Sequence, residues 1–208
     1  MRVFIIGSAP QKDLNYLNNL DFSSSMVIAA DGGLKVCEAL GIVPDAWIGD
    51  NDSLNSDKIQ AKDIVFLDTH KDKSDVNVCV DYAIKKGATH ITLLCVTGGR
   101  LDHEFGNFAM LKYISEHNIS AEIIDEQNTV FYTDKPLSIP KNQREFLSIF
   151  PYGCEVHGLN ITGTEYEVFG ACINNSSTLT VSNKIIDTAE IFFDSGELLI
   201  FLSDDKSA

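Results

Sequence analysis

The chain has 208 residues, of which 44% are hydrophobic and 22% are charged, and this composition is typical of a folded globular protein. Sixteen Lys and Arg against 30 Asp and Glu give a formal net charge of −14, which disfavours non-specific binding to the phosphates of nucleic acid. No apolar stretch is long enough to span a membrane, so we expect no membrane partner. The opening residues 1–7 predict a first strand rather than a signal peptide, and we expect a cytoplasmic protein.

The first part of the chain, up to about residue 134, alternates short apolar runs with segments of helical period. The predicted strands cover residues 3–6, 26–30, 46–48, 64–67, 91–96 and 121–124. The predicted helices run from residue 33 to 40, from 76 to 87 and from 101 to about 117, and the third carries an apolar series that starts with Leu101 and Phe105. This alternation implies right-handed crossovers and a mostly parallel sheet flanked by helices.

The second part of the chain contains only short strand-like runs separated by turn residues. These runs cover residues 146–150, 155–159, 178–181, 189–193 and 198–202. Pro136 and Pro140 fall between the two parts. We therefore predict an α/β domain over residues 1–134 and an all-β domain over residues 135–208.

The five cysteines predict neither a disulfide framework nor a zinc site. Their number is odd, and no pair has the Cys-x-x-Cys spacing. Cys79 and Cys95 fall at apolar positions, which indicates buried free thiols.

Aspartates follow several of the predicted strands. The first part of the chain holds 15 Asp but only 5 Glu, and Asp31 and Asp50 each come directly after an apolar run. In an open α/β sheet, ligands bind at the carboxyl ends of the strands. We therefore expect these carboxylates to share one edge of the sheet.

The sharpest motif is Gly49-Asp50-Asn51-Asp52-Ser53. Asp50 and Asp52 can point the same way where the backbone stays extended, and two carboxylates about 4 Å apart repel by roughly 4 kcal/mol at an effective dielectric near 20. A hard cation such as Mg²⁺ removes that conflict. The alternative is a solvated turn in which one of the two acids caps the following helix.

A second motif, residues 70–75, precedes the second predicted helix. Ser74 or Asp75 can cap the backbone N–H groups there, and Lys71 or Lys73 can meet an anionic phosphate. The alternative is a charged loop with a helix cap and no ligand.

A third motif, residues 97–107, follows the most apolar strand and opens the third helix. Gly98 and Gly99 permit a ligand to approach the backbone, and Arg100 has the fork geometry that suits a phosphate. Asp102 must cap the helix, pair with Arg100 or accept a hydrogen bond from a base or ribose, whereas His103 is typical of a helix start. With Asp31-Gly32-Gly33 as a fourth strand-end turn, the joint interpretation is a metal–phosphate site.

Taken in order, these motifs resemble the thiamine pyrophosphokinase family over nearly the whole chain. The similarity rests on Asp31-Gly32-Gly33, Gly-Asp-x-Asp-Ser at 49–53, Asp-x-Ser-Asp at 72–75 and Gly-Gly-Arg-Leu-Asp-His at 98–103. Gly158-Leu159, Ser182-Asn183 and residues 196–199 look like the family's later signatures. The resemblance implies pyrophosphoryl transfer from ATP to thiamine, which yields thiamine diphosphate and AMP. It also implies an N-terminal Rossmann-like α/β domain, a C-terminal β-sandwich, and a homodimer with active sites between subunits.

Motif matching also implies roles for individual residues. Asp50, Asp52 and Asp75 would be the acids linked to Mg²⁺, and Arg100 and Asp102 would complete the catalytic set. Thiamine would meet Ser182 and Asn183 of the partner subunit. ATP would be bound by Asp31, Gly32, Asp72, Lys73, Ser74, Gly98, Gly99, Arg100, Asp102, His103 and Asn107.

Three other functions fit parts of the pattern. A metal-dependent phosphoesterase suits Asp-x-Asp with a separate Asp-His pair, but it needs more histidines near the acids than His70 and His103. A nucleotide-binding sensor would bind ATP without turnover. A related pyrophosphokinase would act on another alcohol, such as a pterin.

Overall fold

The computed structural model describes residues 1–50, 60–67 and 73–205 of the chain. Residue contacts divide the chain into two units, Met1–Glu126 and Gln127–Ala208. Asp52, His70, Lys71 and Asp72 carry sequence predictions but lie outside the described residues.

The first unit is built on parallel strands. Its strands are β1 (Arg2–Ile6), β2 (Met26–Ala30), β3 (Ala46–Gly49), β4 (Asp63–Phe66), β5 (His90–Leu94) and β6 (Ser120–Ile124). Its helices are α1 (Gly33–Ala39), α2 (Asp75–Lys85) and α3 (Leu101–Ser115), with a short 3-10 helix at Asn15–Asn19. The strand order is β6-β5-β1-β2-β3-β4, and every neighbouring pair is parallel, as the alternation of strands and helices predicts.

The core of the first unit lies against its central strands. Val3, Phe4, Ile5 and Ile6 of β1 are all fully buried, which is typical of a parallel strand covered on both faces. The predicted strand at residues 91–96 ends earlier, at Leu94, because Cys95 has a left-handed φ of 54° that turns the chain away from the sheet.

The predicted apolar series of α3 is wrong in its first turns. Leu101 and Phe105 are 80% and 70% exposed, and the helix buries Asn107, Leu111 and Ile114 instead. The helix reaches the core only from Asn107 onward, because its first turns border the cavity described below.

Glu122 on β6 links three strands of the sheet. Its Oε1 atom lies 3.0 Å from His90 Nε2 on β5 and 3.6 Å from Arg2 Nη2 on β1, and it accepts a hydrogen bond from Thr92 Oγ1 at 3.1 Å. Burial raises the pKa of Glu122, but His90, Thr92 and Arg2 together outweigh burial and leave that pKa below its ordinary value. The carboxylate is therefore held ionised in the fold.

Glu122→Gln is expected to lower the free energy of unfolding by about 1 kcal/mol at neutral pH, because the charge-assisted contacts are lost. Since the folded pKa of Glu122 is depressed, the contribution is present above the unfolded-state pKa of about 4.3 and is lost as pH falls through the folded value. Urea unfolding of both proteins at neutral pH and at about pH 3 measures this change. A difference that stays constant across this range would contradict the role given to the ionised carboxylate.

Every named element in the described part of the second unit is a strand. The strands are β7 (Asn128–Thr133), β8 (Leu137–Ile139), β9 (Phe146–Pro151), β10 (Val156–Thr164), β11 (Val168–Ile173), β12 (Asn183–Phe192) and β13 (Leu198–Ser203). Their order is β11-β10-β12-β9-β13-β7, with β8 paired to β12. The pairs are antiparallel and enclose an apolar core that includes Leu147, Val156 and Ile200.

The second unit differs from the sequence predictions in several details. The strands β7, β8 and β11 were not predicted, and β12 begins at Asn183 rather than at residue 189. The strand predicted at residues 178–181 is a turn, in which Thr180 Oγ1 donates to the carbonyl of Ile149 at 2.5 Å. The contact-based division of the chain falls before residue 134, because β7 pairs with β13 of the second unit over six residues.

None of the five cysteines forms a disulfide. Cys37, Cys79 and Cys95 are buried, which confirms the prediction for Cys79 and Cys95, whereas Cys154 and Cys172 are exposed. None of the helices found within residues 1–50, 60–67 and 73–205 has the length and apolarity to cross a membrane.

Candidate active site

A cavity of about 720 Å³ lies in the first unit, where the loops that follow β1, β2 and β5 meet the first turns of α2 and α3. This volume lies within the range that small-molecule sites occupy, about 300–1,000 Å³. The cavity is at the carboxyl ends of parallel strands, as predicted for ligand binding in an open α/β sheet.

Asp31 enters the cavity from the end of β2, and its backbone is held on both sides. Its φ is 46°, a left-handed value that is uncommon for a residue with a side chain. Its N–H donates to the carbonyl of Ile48 at 2.8 Å, and its own carbonyl accepts from Trp47 Nε1 at 2.9 Å. The buried indole of Trp47 therefore positions Asp31.

The loop after β1, residues 7–10, forms another wall of the cavity. This loop packs closely on Gly98, whose φ is 95°. A Cβ atom at Gly98 would lie 2.7 Å from the carbonyl oxygen of Pro10, so no larger residue fits there. Gln11 Nε2 adds a hydrogen bond of 2.7 Å to the carbonyl of Thr97. Residues 7–10 were not predicted to belong to the site, although Gly7 follows a strand as Gly32 and Gly98 do.

The first turn of α2 supplies Ser74 and Asp75. Ser74 is the N-cap, and its Oγ accepts a hydrogen bond from the N–H of Asn77 at 3.3 Å. Asp75 is in the first helical turn, and both residues line the cavity. The sequence left the capping role open between these two residues, and the structure gives it to Ser74.

Arg100 and Asp102 form an ion pair where α3 begins. Arg100 Nη2 lies 2.6 Å from Asp102 Oδ2 and Nε lies 3.1 Å from Oδ1, which also accepts from the N–H of His103 at 3.0 Å. Hydrogen bonding to Arg100 lowers the pKa of Asp102. Asp102 therefore fills two of its three predicted roles: it pairs with Arg100, and it caps the helix by accepting from the N–H of His103.

Glu104, which was not among the predicted site residues, accepts hydrogen bonds from the backbone amides of Gly98 and Gly99. Its Oε1 accepts from the N–H of Gly98 at 2.8 Å and from the N–H of Gly99 at 2.7 Å. Two converging amides that hold a carboxylate form an anion-binding position. A signal was available in the sequence, because an acid in the first turn of a helix commonly reaches back to the N–H groups before it.

Asn107 and Cys95 complete the inner wall. Asn107 is 8% exposed, and its Nδ2 donates to the carbonyl of Val96 at 2.8 Å, so it holds the end of β5 against α3. Burial raises the pKa of the Cys95 thiol, which lies 3.5 Å from Tyr16 Oη. The thiol therefore stays protonated near neutral pH and is a poor nucleophile.

The structure brings most of the described ATP-site candidates together. The cavity is lined by Asp31, Ser74, Asp75, Gly99, Arg100, Asp102, His103 and Asn107. Three further candidates do not line the cavity. Gly32 and Gly98 are next in sequence to residues that do, and Asp50 follows β3 at the same edge of the sheet. Lys73 precedes the cavity wall and its Nζ lies 2.5 Å from Asp81 Oδ2.

Ser182 and Asn183, the predicted thiamine-binding residues, lie in the second unit at the start of β12. Ser182 is exposed, with a left-handed φ of 55°. Asn183 is 4% exposed, and its amide donates to the carbonyl of Tyr166 at 2.7 Å and to Thr164 Oγ1 at 3.1 Å. The side chain of Asn183 therefore organises the turn at residues 164–166.

Left-handed backbone conformations coincide with these candidate residues. Of the four described non-glycine residues with positive φ, Asp31 and Cys95 line the cavity and Ser182 is a predicted ligand contact. Such conformations cost about 1–3 kcal/mol each and concentrate at functional sites.

Comparison with known proteins identifies the same family in both units. The family model described as "Thiamin pyrophosphokinase, catalytic domain" matches residues 17–123, and "Thiamin pyrophosphokinase, vitamin B1 binding domain" matches residues 134–198. The curated thiamine pyrophosphokinase of Bacillus subtilis (strain 168) is 28% identical over 209 residues, which cover 97% of this chain and 98% of that protein.

Solved structures agree along the whole chain. The crystal structure of thiamine pyrophosphokinase from Bacillus subtilis has a TM-score of 0.88 at 26% identity and covers 99% of this chain and 100% of that one. Thiamin pyrophosphokinase from Geobacillus thermodenitrificans has a TM-score of 0.85 at 29% identity and covers 100% of this chain and 99% of that one. The catalytic-domain model alone matches more than half of the residues, which confirms the resemblance noted in the motifs. The chain belongs to the thiamin pyrophosphokinase family.

Proposed function

We propose that the protein transfers a pyrophosphoryl group from ATP to the hydroxyethyl group of thiamine. The thiamine oxygen forms a bond to the β-phosphorus, the bond between that phosphorus and the oxygen bridging to the α-phosphate breaks, and AMP leaves while the hydroxyl loses its proton. The observation that carries this proposal is the cavity at the strand ends, where Asp75, the Arg100–Asp102 pair and the amide of Gly99 surround one space. The match of each unit to a thiamin pyrophosphokinase domain supports the choice of substrates.

Asp50, Asp52 and Asp75 are the proposed ligands of Mg²⁺. Carboxylate oxygens are the donors that this ion takes, and it commonly keeps phosphate oxygens and water in its other positions. Asp75 fits this role because it is an acid that lines the same cavity as Gly99 and Arg100, the residues proposed to bind phosphate. The ion would neutralise charge on the phosphate oxygens in the transition state.

The residues proposed to bind ATP supply both charge and backbone donors. Arg100 can offer a planar fork to phosphate oxygens, and the N–H groups of Gly98 and Gly99 can take the place of water around them. Asn107 holds the chain after β5 in position, and Ser74 caps the start of α2. The proposed set is Asp31, Gly32, Asp72, Lys73, Ser74, Gly98, Gly99, Arg100, Asp102, His103 and Asn107.

Thiamine is proposed to bind to the second unit through Ser182 and Asn183, in a homodimer whose active sites lie between subunits. The vitamin B1 binding model over residues 134–198 includes both residues and supports this assignment. The net charge of −14 favours approach of the cationic thiamine. We also propose the finer fold description, a Rossmann-like first domain and a β-sandwich second domain, and a cytoplasmic location.

The proposal is tested by an assay that measures AMP and thiamine diphosphate together, with ATP, Mg²⁺ and thiamine present. Equal amounts of the two products, formed only when thiamine is present, are expected. Release of AMP without thiamine would instead indicate a hydrolase, and ATP binding without turnover would indicate a sensor.

Glu104→Gln is expected to lower KM for ATP by about 3- to 10-fold with kcat nearly unchanged, because removing one negative charge near bound phosphate contributes about 1 kcal/mol. The glutamine oxygen still accepts from Gly98 and Gly99, so the loop keeps its shape. Steady-state kinetics over a range of ATP concentrations measures the change. Glu116→Gln, at the far end of α3, is the matched control, and a raised KM in Glu104→Gln would contradict competition between this carboxylate and phosphate.

A further inference from the structure

We propose that Glu155, His157 and Cys172 form a binding site on the second unit for a borderline-soft divalent cation of the Zn²⁺ class. None of the three residues has a role in the reaction proposed above. The spacing of the cysteines in the sequence predicted no zinc site, and Cys172 meets Glu155 and His157 only through strand pairing.

Strand geometry explains why these side chains meet. Val156, at the start of β10, is fully buried, so the alternation of side chains places Glu155 and His157 on the opposite, outer face. Val156 pairs with Ile173 of the antiparallel β11, which sets His157 beside Cys172. The side chains of His157 and Glu155 are 55% and 57% exposed, so a cation can reach them from solvent.

The donor atoms are close to the spacing that a tetrahedral ion needs. Cys172 Sγ lies 3.3 Å from His157 Nδ1, His157 Nε2 lies 3.8 Å from Glu155 Oε2, and one donor atom from each residue lies within 4.8 Å of the others. Zinc bonds of about 2.3 Å to sulfur and 2.0 Å to nitrogen place two ligands about 3.5 Å apart. The cysteine–histidine pair is close to this spacing through Nδ1. The 3.8 Å contact of Glu155 is to the other ring nitrogen, so this exposed carboxylate has to move toward the ion on binding.

The donor set selects the class of cation. Thiolate and imidazole favour Zn²⁺ and its neighbours over Mg²⁺, which prefers oxygen ligands alone. On binding, the Cys172 thiol loses its proton to solvent and forms the metal–sulfur bond, while His157 binds through one nitrogen of its neutral ring. No other covalent bond changes.

The surroundings leave room for a fourth ligand and add negative charge. A shallow cavity of about 410 Å³ opens beside Glu155, with Cys154, Asn174 and Ser176 on its wall, so solvent reaches this side of the cluster. Asp194 donates its N–H to the carbonyl of His157 at 2.9 Å, and its carboxylate adds to the local negative potential.

The site is tested with Co²⁺ as a spectroscopic probe on the full chain, with excess Mg²⁺ present to occupy oxygen-only sites. A single equivalent of Co²⁺ is expected to give a thiolate-to-metal charge-transfer absorption in the near ultraviolet, and Zn²⁺ should displace it. No such absorption in the unmodified protein would overturn the site.

Cysteine variants provide a matched comparison. Cys154 and Cys172 are both exposed free thiols, so Cys172→Ser should abolish the absorption and Cys154→Ser should leave it unchanged. His157→Ala should weaken Co²⁺ binding by at least about 10-fold, because even outer-shell partners of a metal have effects of that size. Absorption that survives in Cys172→Ser would show that the three residues form only a hydrogen-bonded surface cluster. Circular dichroism verifies that each variant is folded.

Discussion

Asp75→Asn is expected to reduce kcat for thiamine diphosphate formation by about 10³-fold or more, equivalent to about 4 kcal/mol of transition-state stabilisation. Asp75 lines the cavity in the first turn of α2, and the proposed role of its carboxylate is to hold the cation that neutralises phosphate charge. Asparagine has nearly the same shape but no charge. Steady-state rates with saturating ATP, Mg²⁺ and thiamine measure the loss, and Asp50→Asn should behave in the same way.

The fold should tolerate this change. Ser74 still caps α2 through its hydroxyl, and losing the interaction of a first-turn acid with the helix dipole costs about 0.3–1 kcal/mol. Asp21→Asn is the matched control. Asp21 lies in a turn with Ser23 before β2, at the opposite end of that strand from Asp31 and the cavity. Activity like that of the unmodified protein in Asp75→Asn would remove Asp75 from the catalytic set.

Gly33→Ala is expected to destabilise the protein by about 3 kcal/mol or more, or to prevent folding. A Cβ atom at Gly33 would lie 2.0 Å from the carbonyl oxygen of Ile6 and 3.0 Å from that of Gly7. Both atoms are backbone, so α1 would have to move away from β1. Urea unfolding of the purified variant measures the loss.

Gly106→Ala is the matched control for that prediction. Gly106 lies inside α3, and an added Cβ there meets no atom within 4 Å. Alanine is a better helix former than glycine by about 1 kcal/mol, so this variant should be slightly more stable than the unmodified protein. If Gly33→Ala unfolded at the same urea concentration as the unmodified protein, the close contact between α1 and β1 would be refuted. A large loss would mean that Gly33, part of the Asp31-Gly32-Gly33 motif, is required by packing rather than by a ligand.

Local pattern was sufficient for the strands and helices of the first unit. Short apolar runs that alternate with segments of helical period favour a parallel sheet, because the helices between the strands then cover both faces of the sheet. Asp31 lies at the cavity as its place after a parallel strand predicts, since the carboxyl ends of such strands share an edge, whereas Asp50 follows β3 without lining the cavity. Local pattern failed at Leu101 and Phe105, because a helical period shows which residues share a face but not whether that face meets the core.

The sequence by itself therefore determined the order of the elements, the edge at which the acids gather and the family to which the chain belongs. Tertiary structure alone decided that Glu104 occupies the amides of the glycine pair, that Asp102 pairs with Arg100, and that His157 lies beside Cys172. The reason is physical: an acid near free N–H groups has several partners of similar energy within reach, and residues on different strands become neighbours only once the register of the sheet is set.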